Sequence, residues 1–318
     1  MPEGDSVLQL SERMQWMTGR TVTHCDIRVP RHATEDLTGR TVRRVWPYGK
    51  HFFIDAGGRI LHTHLRMEGV WSVHRVGDRW RRPAHTARVV LRFPPQHPGG
   101  PAIETVGHSL GFVRLFDADE YPQVIGHLGP DILDPGWGDD GRAEAVRRLL
   151  ARPGRPVGAA LLDQRVVAGI GNEYRAEVCF LAGVDPRDSV AAVGEERAVR
   201  ALDLARRTMW DNRSEPRRVF TGDRRPGWGN WVFGRADRPC RRCGTTLRTG
   251  VLGGPDAGGD DGELERIIWW CPHCQPRRGG EGARGTHVRD RPVRGSPREL
   301  KARELKAREL KARERTFP

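Results

Sequence analysis

The feature that most constrains this chain is a pair of Cys-x2-Cys knuckles, Cys240–Cys243 and Cys271–Cys274, with 27 residues between them. Four thiolates in this spacing form the tetrahedral donor set of a structural zinc ion, and an all-sulfur set leaves no open position for a metal-bound water. One structural Zn2+ per chain is expected, with a dithiol redox pair as the alternative use of the same motif. The insert is long for a two-strand finger, and the Gly/Asp-rich stretch 253–262 takes up the excess as a floppy tip. Cys25 and Cys179 stand alone in apolar runs, so the cysteines point to metal binding and a reducing compartment, not to disulfides.

Charge narrows the partner. Lys and Arg number 54 against 41 Asp and Glu, a formal +13, which favours a polyanion. Residues 279–318 hold twelve Arg or Lys and six acids, so the remaining chain keeps +7 of its own. Glu3, Asp5 and Glu12 spoil a secretory signal, and no apolar run reaches the roughly 18 residues of a membrane span. A cytoplasmic, nucleoid-associated monomer with no membrane contact is expected.

A chain of 318 residues has room for two modest domains and an appendage. Val7, Leu10, Met14 and Met17 fall at helical spacing. Short β-branched and aromatic stretches then recur between Thr21 and Phe116, broken by Gly, Pro and Asp, as in a β-sandwich. Pro130 to Gly141 has the composition of a linker. After it, Arg142–Ala151, Val157–Leu162, Asn172–Leu181 and Glu195–Trp210 carry the apolar period of helices. The fold class is multidomain α+β: an N-terminal β-sandwich with flanking helices over 1–129, a helical domain over 130–225, a β-hairpin zinc finger over 226–276 and a basic disordered tail over 277–318. The tail's leucines, Leu300, Leu305 and Leu310, recur every five residues and give a helix no single face. That tail either attracts the polyanionic partner weakly or serves as an inert solubilising extension.

Three further signals are weak singly. Gly169 and Gly171 precede the helix starting at Asn172, so an anion is able to approach the unpaired N–H groups there, unless the pair is a plain tight turn. Pro2 follows Met1 and becomes a terminal secondary amine once methionine is removed, a nucleophile able to form an iminium at a sugar C1′. Glu3 beside it is able to exchange protons during base departure.

Together these residues resemble the formamidopyrimidine-DNA glycosylase and endonuclease VIII family. The resemblance is carried by Pro2-Glu3-Gly4, Tyr48-Gly49-Lys50, His64-Leu-Arg-Met-Glu-Gly69, Asp163 to Tyr174 and the finger Cys240 to Gln275. It implies a helix-two-turns-helix domain behind the sandwich and damaged double-stranded DNA as the partner. The activity would be that of a bifunctional DNA glycosylase/AP lyase of base excision repair. Position by position, Pro2 would be the nucleophile, Glu3 the acid/base and Lys50 the catalytic lysine. Asn172 and Arg266 would clamp phosphates, helped by Gly171, and Met67 would wedge into the duplex. A surface role for Lys50 and core packing for Met67 are the plainer alternatives.

The chain departs from the family's commonest pattern at Asp5 and Ser6, where proline and glutamate are usual. It also has no Asp-x-Arg-x-Phe-Gly stretch; the corresponding region reads His108 to Phe116. That absence favours oxidised pyrimidines, whereas His64 to Gly69 looks more like the oxidised-purine branch. A non-catalytic zinc-containing DNA-binding protein would need neither Pro2, Glu3 nor Lys50.

Overall fold

The computed structural model describes residues 2–253 and 266–279. Most of the finger tip and all but the first three residues of the tail lie outside these described residues. By packing, the chain divides into two units interleaved along the sequence. One takes residues up to Ala151 with Leu161–Gly171 and Ala205–Arg217; the other takes Arg152–Ala160, Asn172–Leu204 and the residues from Arg218 onward.

In the first unit, helix α1 (Gly4–Met14) buries Val7, Leu10 and Met14 on one face, and a 3-10 turn carries the stripe on to Met17. Eight strands follow: β1 (His24–Ile27), β2 (Val42–Tyr48), β3 (His51–Ala56), β4 (Arg59–His64), β5 (Val70–Arg75), β6 (Ala87–Phe93), β7 (Ile103–His108) and β8 (Phe112–Asp117). They form two four-stranded antiparallel sheets, ordered β2-β3-β4-β8 and β1-β6-β7-β5. Phe52, Ile54, Leu61 and Leu115 of the first sheet share one core with Trp71, Val89, Leu91 and Phe93 of the second and with α1. Alternate residues of each strand thus face inward, which is the sandwich that the short-strand pattern predicts.

Helices α2 (Tyr121–Ile125), α3 (Gly138–Leu150), α4 (Val157–Leu162), α5 (Asn172–Ala182), α6 (Val190–Val193) and α7 (Glu195–Asn212) come next. The stretch expected as a linker is corrected at its start. Asp131, Ile132 and Leu133 are buried, Asp131 bridges to Ala168, and the Ile132 N–H donates to the Ala168 carbonyl at 3.0 Å. Its Pro and Gly shape a packed turn, because the apolar Ile132–Leu133 pair has interior to fill.

In the second unit α5 is buried almost all round. Ala176 and Phe180 pack with Leu247, Trp269 and Cys271 of the finger. There β9 (Arg248–Leu252) and β10 (Arg266–Trp270) form an antiparallel hairpin. Glu177 of α5 accepts the N–H groups of Trp231, Val232 and Phe233 at 2.8, 2.9 and 2.7 Å, while its burial pushes the carboxyl up to about 7. Among the described residues no helix is long and apolar enough to cross a membrane.

Candidate active site and nucleic-acid interface

In the first unit the candidate residues at the chain start and at the β2–β3 hairpin gather around one loop, residues 164–171. Gln164 staples that loop to itself: its amide donates to the carbonyls of Leu162 (2.8 Å) and Ile170 (2.9 Å), and its Oε1 accepts the Gly169 N–H (3.0 Å). The chain start docks here. Gly4 N–H donates to the Gly169 carbonyl at 3.0 Å, and the Glu3 carboxylate, 0% exposed, accepts the Gly171 N–H at 2.7 Å. A Cβ on Gly171 would stand 2.2 Å from Glu3 Cδ. Of the two sequence readings, an external anion at the Gly171 N–H or a plain tight turn, the first is corrected: the chain's own Glu3 carboxylate takes that N–H.

The β2–β3 hairpin reaches the same loop. It turns in two residues between the paired Tyr48 and His51, with Gly49 first at φ +56°, where hairpin turns of this length demand glycine. Gly49 N–H donates to Asp131 Oδ2 at 2.9 Å, and a Cβ on Gly49 would lie 2.8 Å from Ala168 Cβ and 3.2 Å from Gly169 N. Gly49, the residue before Lys50, and Gly4, the residue after Pro2–Glu3, are therefore both seated against Gly169. Pro2 and Lys50 are each half-buried. Tyr48 braces the hairpin by donating its hydroxyl to the Gly129 carbonyl at 2.9 Å.

Asp131 is the anchor of that turn. One oxygen takes Gly49 N–H and the other Leu133 N–H (2.9 Å), and burial raises its carboxyl from 3.8 to about 6, against the opposing pull of those bonds and of Arg206. A carboxyl raised in the folded state favours folding below its unfolded value, and that contribution disappears as pH rises through about 6. Two pKa units correspond to about 3 kcal/mol. Asp131→Asn is expected to remove this fall, so the parent's advantage over the variant in urea melts should shrink by that order between about pH 4 and 7. A constant difference across that range would contradict the assignment. Asn also has one acceptor where Asp has two, so the Lys50 turn should loosen and excision should slow.

Three histidines adjoin Lys50. His51 Nδ1 and His62 Nε2 are 2.8 Å apart, His64 is the cross-strand partner of His51, and His64 Nδ1 accepts Arg66 N–H at 2.9 Å. Burial foremost pushes His51 down to about 4, His62 to about 2 and His64 to about 3; the charges of His127 and Lys50 add to it at His51, those of His51 and His64 at His62, and those of His51 and Lys50 at His64. All three are neutral at physiological pH. Beyond them Met67 is half-buried on a turn whose Arg66 has φ +49°, and the Arg66 side chain lies over Gly111 in the neighbouring turn, where Ser109 has φ +48°. Two non-glycine residues in the left-handed region mark these adjacent turns as strained, a condition that functional loops often carry.

The second unit holds the other expected residues. Asn172 at the start of α5 donates its amide to the Ile267 carbonyl at 3.1 Å, and Arg175 donates to the same oxygen at 2.9 Å and also to Asn172 Oδ1. Asn172 is thereby fixed beside Arg266, the residue preceding Ile267 on β10. The four cysteine sulfurs lie within 4.8 Å of one another, with Cys240–Cys274 at 4.0 Å and Cys243–Cys271 at 3.5 Å. A zinc–sulfur bond of about 2.3 Å places tetrahedral sulfurs about 3.8 Å apart, so the donor set fits zinc. Gln275 secures the second knuckle by accepting Cys271 N–H and donating to the Val184 carbonyl.

Sequence reading picked out the knuckles, whose four sulfurs the fold brings together, and singled out Pro2, Glu3 and Lys50 as candidates. It passed over Asp131, whose Gly49 partner lies 82 positions away, and gave Gln164 and the histidines no role of their own; the local Gly-Pro-Asp and Leu-Asp-Gln surroundings hinted only at turns.

A β-sandwich that seats a proline–glutamate start and a hairpin lysine on one glycine loop, joined in sequence to a four-cysteine finger, defines the DNA glycosylase/AP lyase class. The chain belongs to the formamidopyrimidine-DNA glycosylase family of base excision repair: its residues 1–100 match the family's N-terminal domain and 128–212 the formamidopyrimidine-DNA glycosylase H2TH domain. It is 45% identical over 299 residues to the probable endonuclease 8 2 of Streptomyces coelicolor, covering 92% of this chain and 100% of that protein. It is 42% identical to the DNA-(apurinic or apyrimidinic site) lyase Nei2 of Mycolicibacterium smegmatis, over 86% and 99% of the two chains. In fold it resembles Lactococcus lactis formamidopyrimidine-DNA glycosylase bound to DNA containing an AP site. The TM-score is 0.65 at 18% identity, over 87% of this chain and 100% of that one.

Proposed function

We propose that this chain excises oxidised bases, pyrimidines foremost, from duplex DNA and then cleaves the strand through its mature N-terminal proline. The observation that supports the reading is that the chain start, through Glu3 and Gly4, and the Lys50-bearing hairpin, through Gly49, dock on the same Gly169 loop, with Glu3 buried and held on a backbone N–H. The damaged nucleotide is flipped from the duplex, most cheaply where damage has weakened stacking. Pro2 nitrogen attacks C1′, the base departs, and Glu3 transfers a proton as the sugar ring opens to an iminium. Loss of the C2′ proton then breaks the C3′–O bond, with the phosphate as leaving group. Lys50 holds the adjacent phosphate, Met67 on its strained turn fills the vacated stack, and Asn172 with Arg266 grips flanking phosphates. Zinc, held by Cys240, Cys243, Cys271 and Cys274, keeps the hairpin in shape and takes no part in the chemistry. The enzyme would work as a monomer in the cytoplasm, on the nucleoid.

Borohydride should trap the protein covalently on lesion duplex, and peptide mapping should place the adduct on Pro2. An adduct on a lysine instead would remove Pro2 from the mechanism. A second reading, oxidised purines as substrate, is favoured by His64 to Gly69. Excision of 8-oxoguanine against thymine glycol from matched duplexes separates the two.

A further inference from the structure

The outer face of the β1-β6-β7-β5 sheet is crossed by a strap that the reaction does not use. Strands β5 and β6 both pair antiparallel with β7, so they run in the same direction, and their connection, residues 76–86, has to cross the sheet. Trp80 pins it down. Its ring packs on Ala87, Val90 and Val106, its Nε1 donates to the buried Glu104, and its edge meets His108 with ring centroids 5.6 Å apart. With Trp80 turned inward, Arg79, Arg81 and Arg82 are left exposed beside Arg75 at the end of β5.

None of these four guanidinium groups has a hydrogen bond or ion pair to the described residues. The neighbouring carboxylates are already engaged: Glu104 pairs with Arg92 at 3.1 Å and Asp26 with Arg28 at 2.7 Å, which leaves Asp78. An open groove of about 480 Å3 runs past Arg75, Arg79 and Arg81. Unpaired arginines clustered on a strap that Trp80 anchors are a footprint for an anion with repeated charges.

We propose that this strap is a second contact surface for the phosphate backbone of duplex DNA, separate from the lesion site. It rests on the reading above that the chain works on duplex DNA. The charge would suit an acidic peptide as well, but a peptide needs an apolar anchor. Trp80 faces the sheet, and Val73, 43% exposed, is the lone large apolar side chain standing open beside the strap among the described residues. Phosphates ask only for guanidinium groups. The strap would read no sequence and would hold an undamaged stretch of duplex while the chain searches.

The test is the salt dependence of full-length enzyme binding to a long undamaged duplex. Each phosphate contact contributes about 0.9 to the slope of log K against log salt. Arg79→Gln/Arg81→Gln/Arg82→Gln is expected to lower that slope by about 2 to 3. The matching triple lysine variant should retain it, and single-turnover excision from a short lesion duplex should be unchanged in both. An unchanged slope in the glutamine variant, as an acidic-peptide site would give, overturns the proposal. So does an equal loss in the lysine variant, which would report altered structure, or a loss of excision, which would place the strap in the lesion site. Absence of excision by the parent with the slope change intact would sink the glycosylase reading and leave the strap standing.

Discussion

Gly171→Ala is expected to cut base excision by about 10²- to 10⁴-fold, to the floor reached by Glu3→Gln, which loses the acid/base outright. The reason is space, not backbone conformation: Gly169 has φ +115°, but Gly171 is not among the positive-φ glycines. An alanine Cβ would stand 2.2 Å from Glu3 Cδ and 2.5 Å from its Oε1. Glu3 is fully buried, so its carboxylate has to leave the Gly171 N–H and push into packed neighbours. An abandoned buried N–H alone costs about 1–3 kcal/mol. Gly4 keeps its own bond to the Gly169 carbonyl, so Pro2 should stay near its place. The variant should therefore still be trapped by borohydride on a duplex with a ready-made abasic site, where no base has to leave. Single-turnover excision at the parent rate would show that the Glu3–Gly171 contact is not part of the reacting arrangement.

What the sequence made legible follows from how local each signal is. The apolar face of α1 and the cysteine knuckles are each written within a dozen residues, and each forms as expected. β7 is harder to read, because its Glu104 looks like a solvent residue; it is buried since Trp80 and Arg92 come to meet it. Arg175 and Glu177 look like the polar side of an amphipathic α5 for the same reason. Both are buried because Ile267 and the 231–233 backbone supply partners, 92 and about 55 positions away. Polarity marks a residue as exposed only when nothing distant satisfies it. Asp131 was hidden twice, inside a Pro/Gly-rich stretch and by a role that needs Gly49 and Ala168 in place first. The resemblance supplied the pairing of Pro2 with Lys50; the seat that their neighbours Gly4 and Gly49 share on Gly169 is visible only in the fold.

Stripping the metal, or replacing Cys271 with Ser, is expected to weaken duplex binding by about 10²- to 10⁴-fold, though every proposed phosphate ligand remains in the chain. A structural zinc site contributes on the order of 10 kcal/mol to the fold of a small finger. Cys271 packs with Phe180 and Ala176 of α5, and both Asn172 and Arg175 are tied to the Ile267 carbonyl on β10. Once the knuckle opens, β10 has no reason to hold its register. Asn172 then loses its brace in the same event that frees Arg266. Two charge-assisted phosphate contacts, at about 1.5–3 kcal/mol each, give the stated range. The bonds that hold the Gly169 loop, Glu3 and the Gly49-Lys50 turn come from Gln164, Gly169, Gly171 and Asp131, none of which belongs to the finger. Borohydride trapping at saturating abasic duplex should therefore survive better than affinity does. Metal analysis should return one zinc per active chain. Zinc-free protein that binds lesion duplex as tightly as the parent would show that the finger does not brace the phosphate grip.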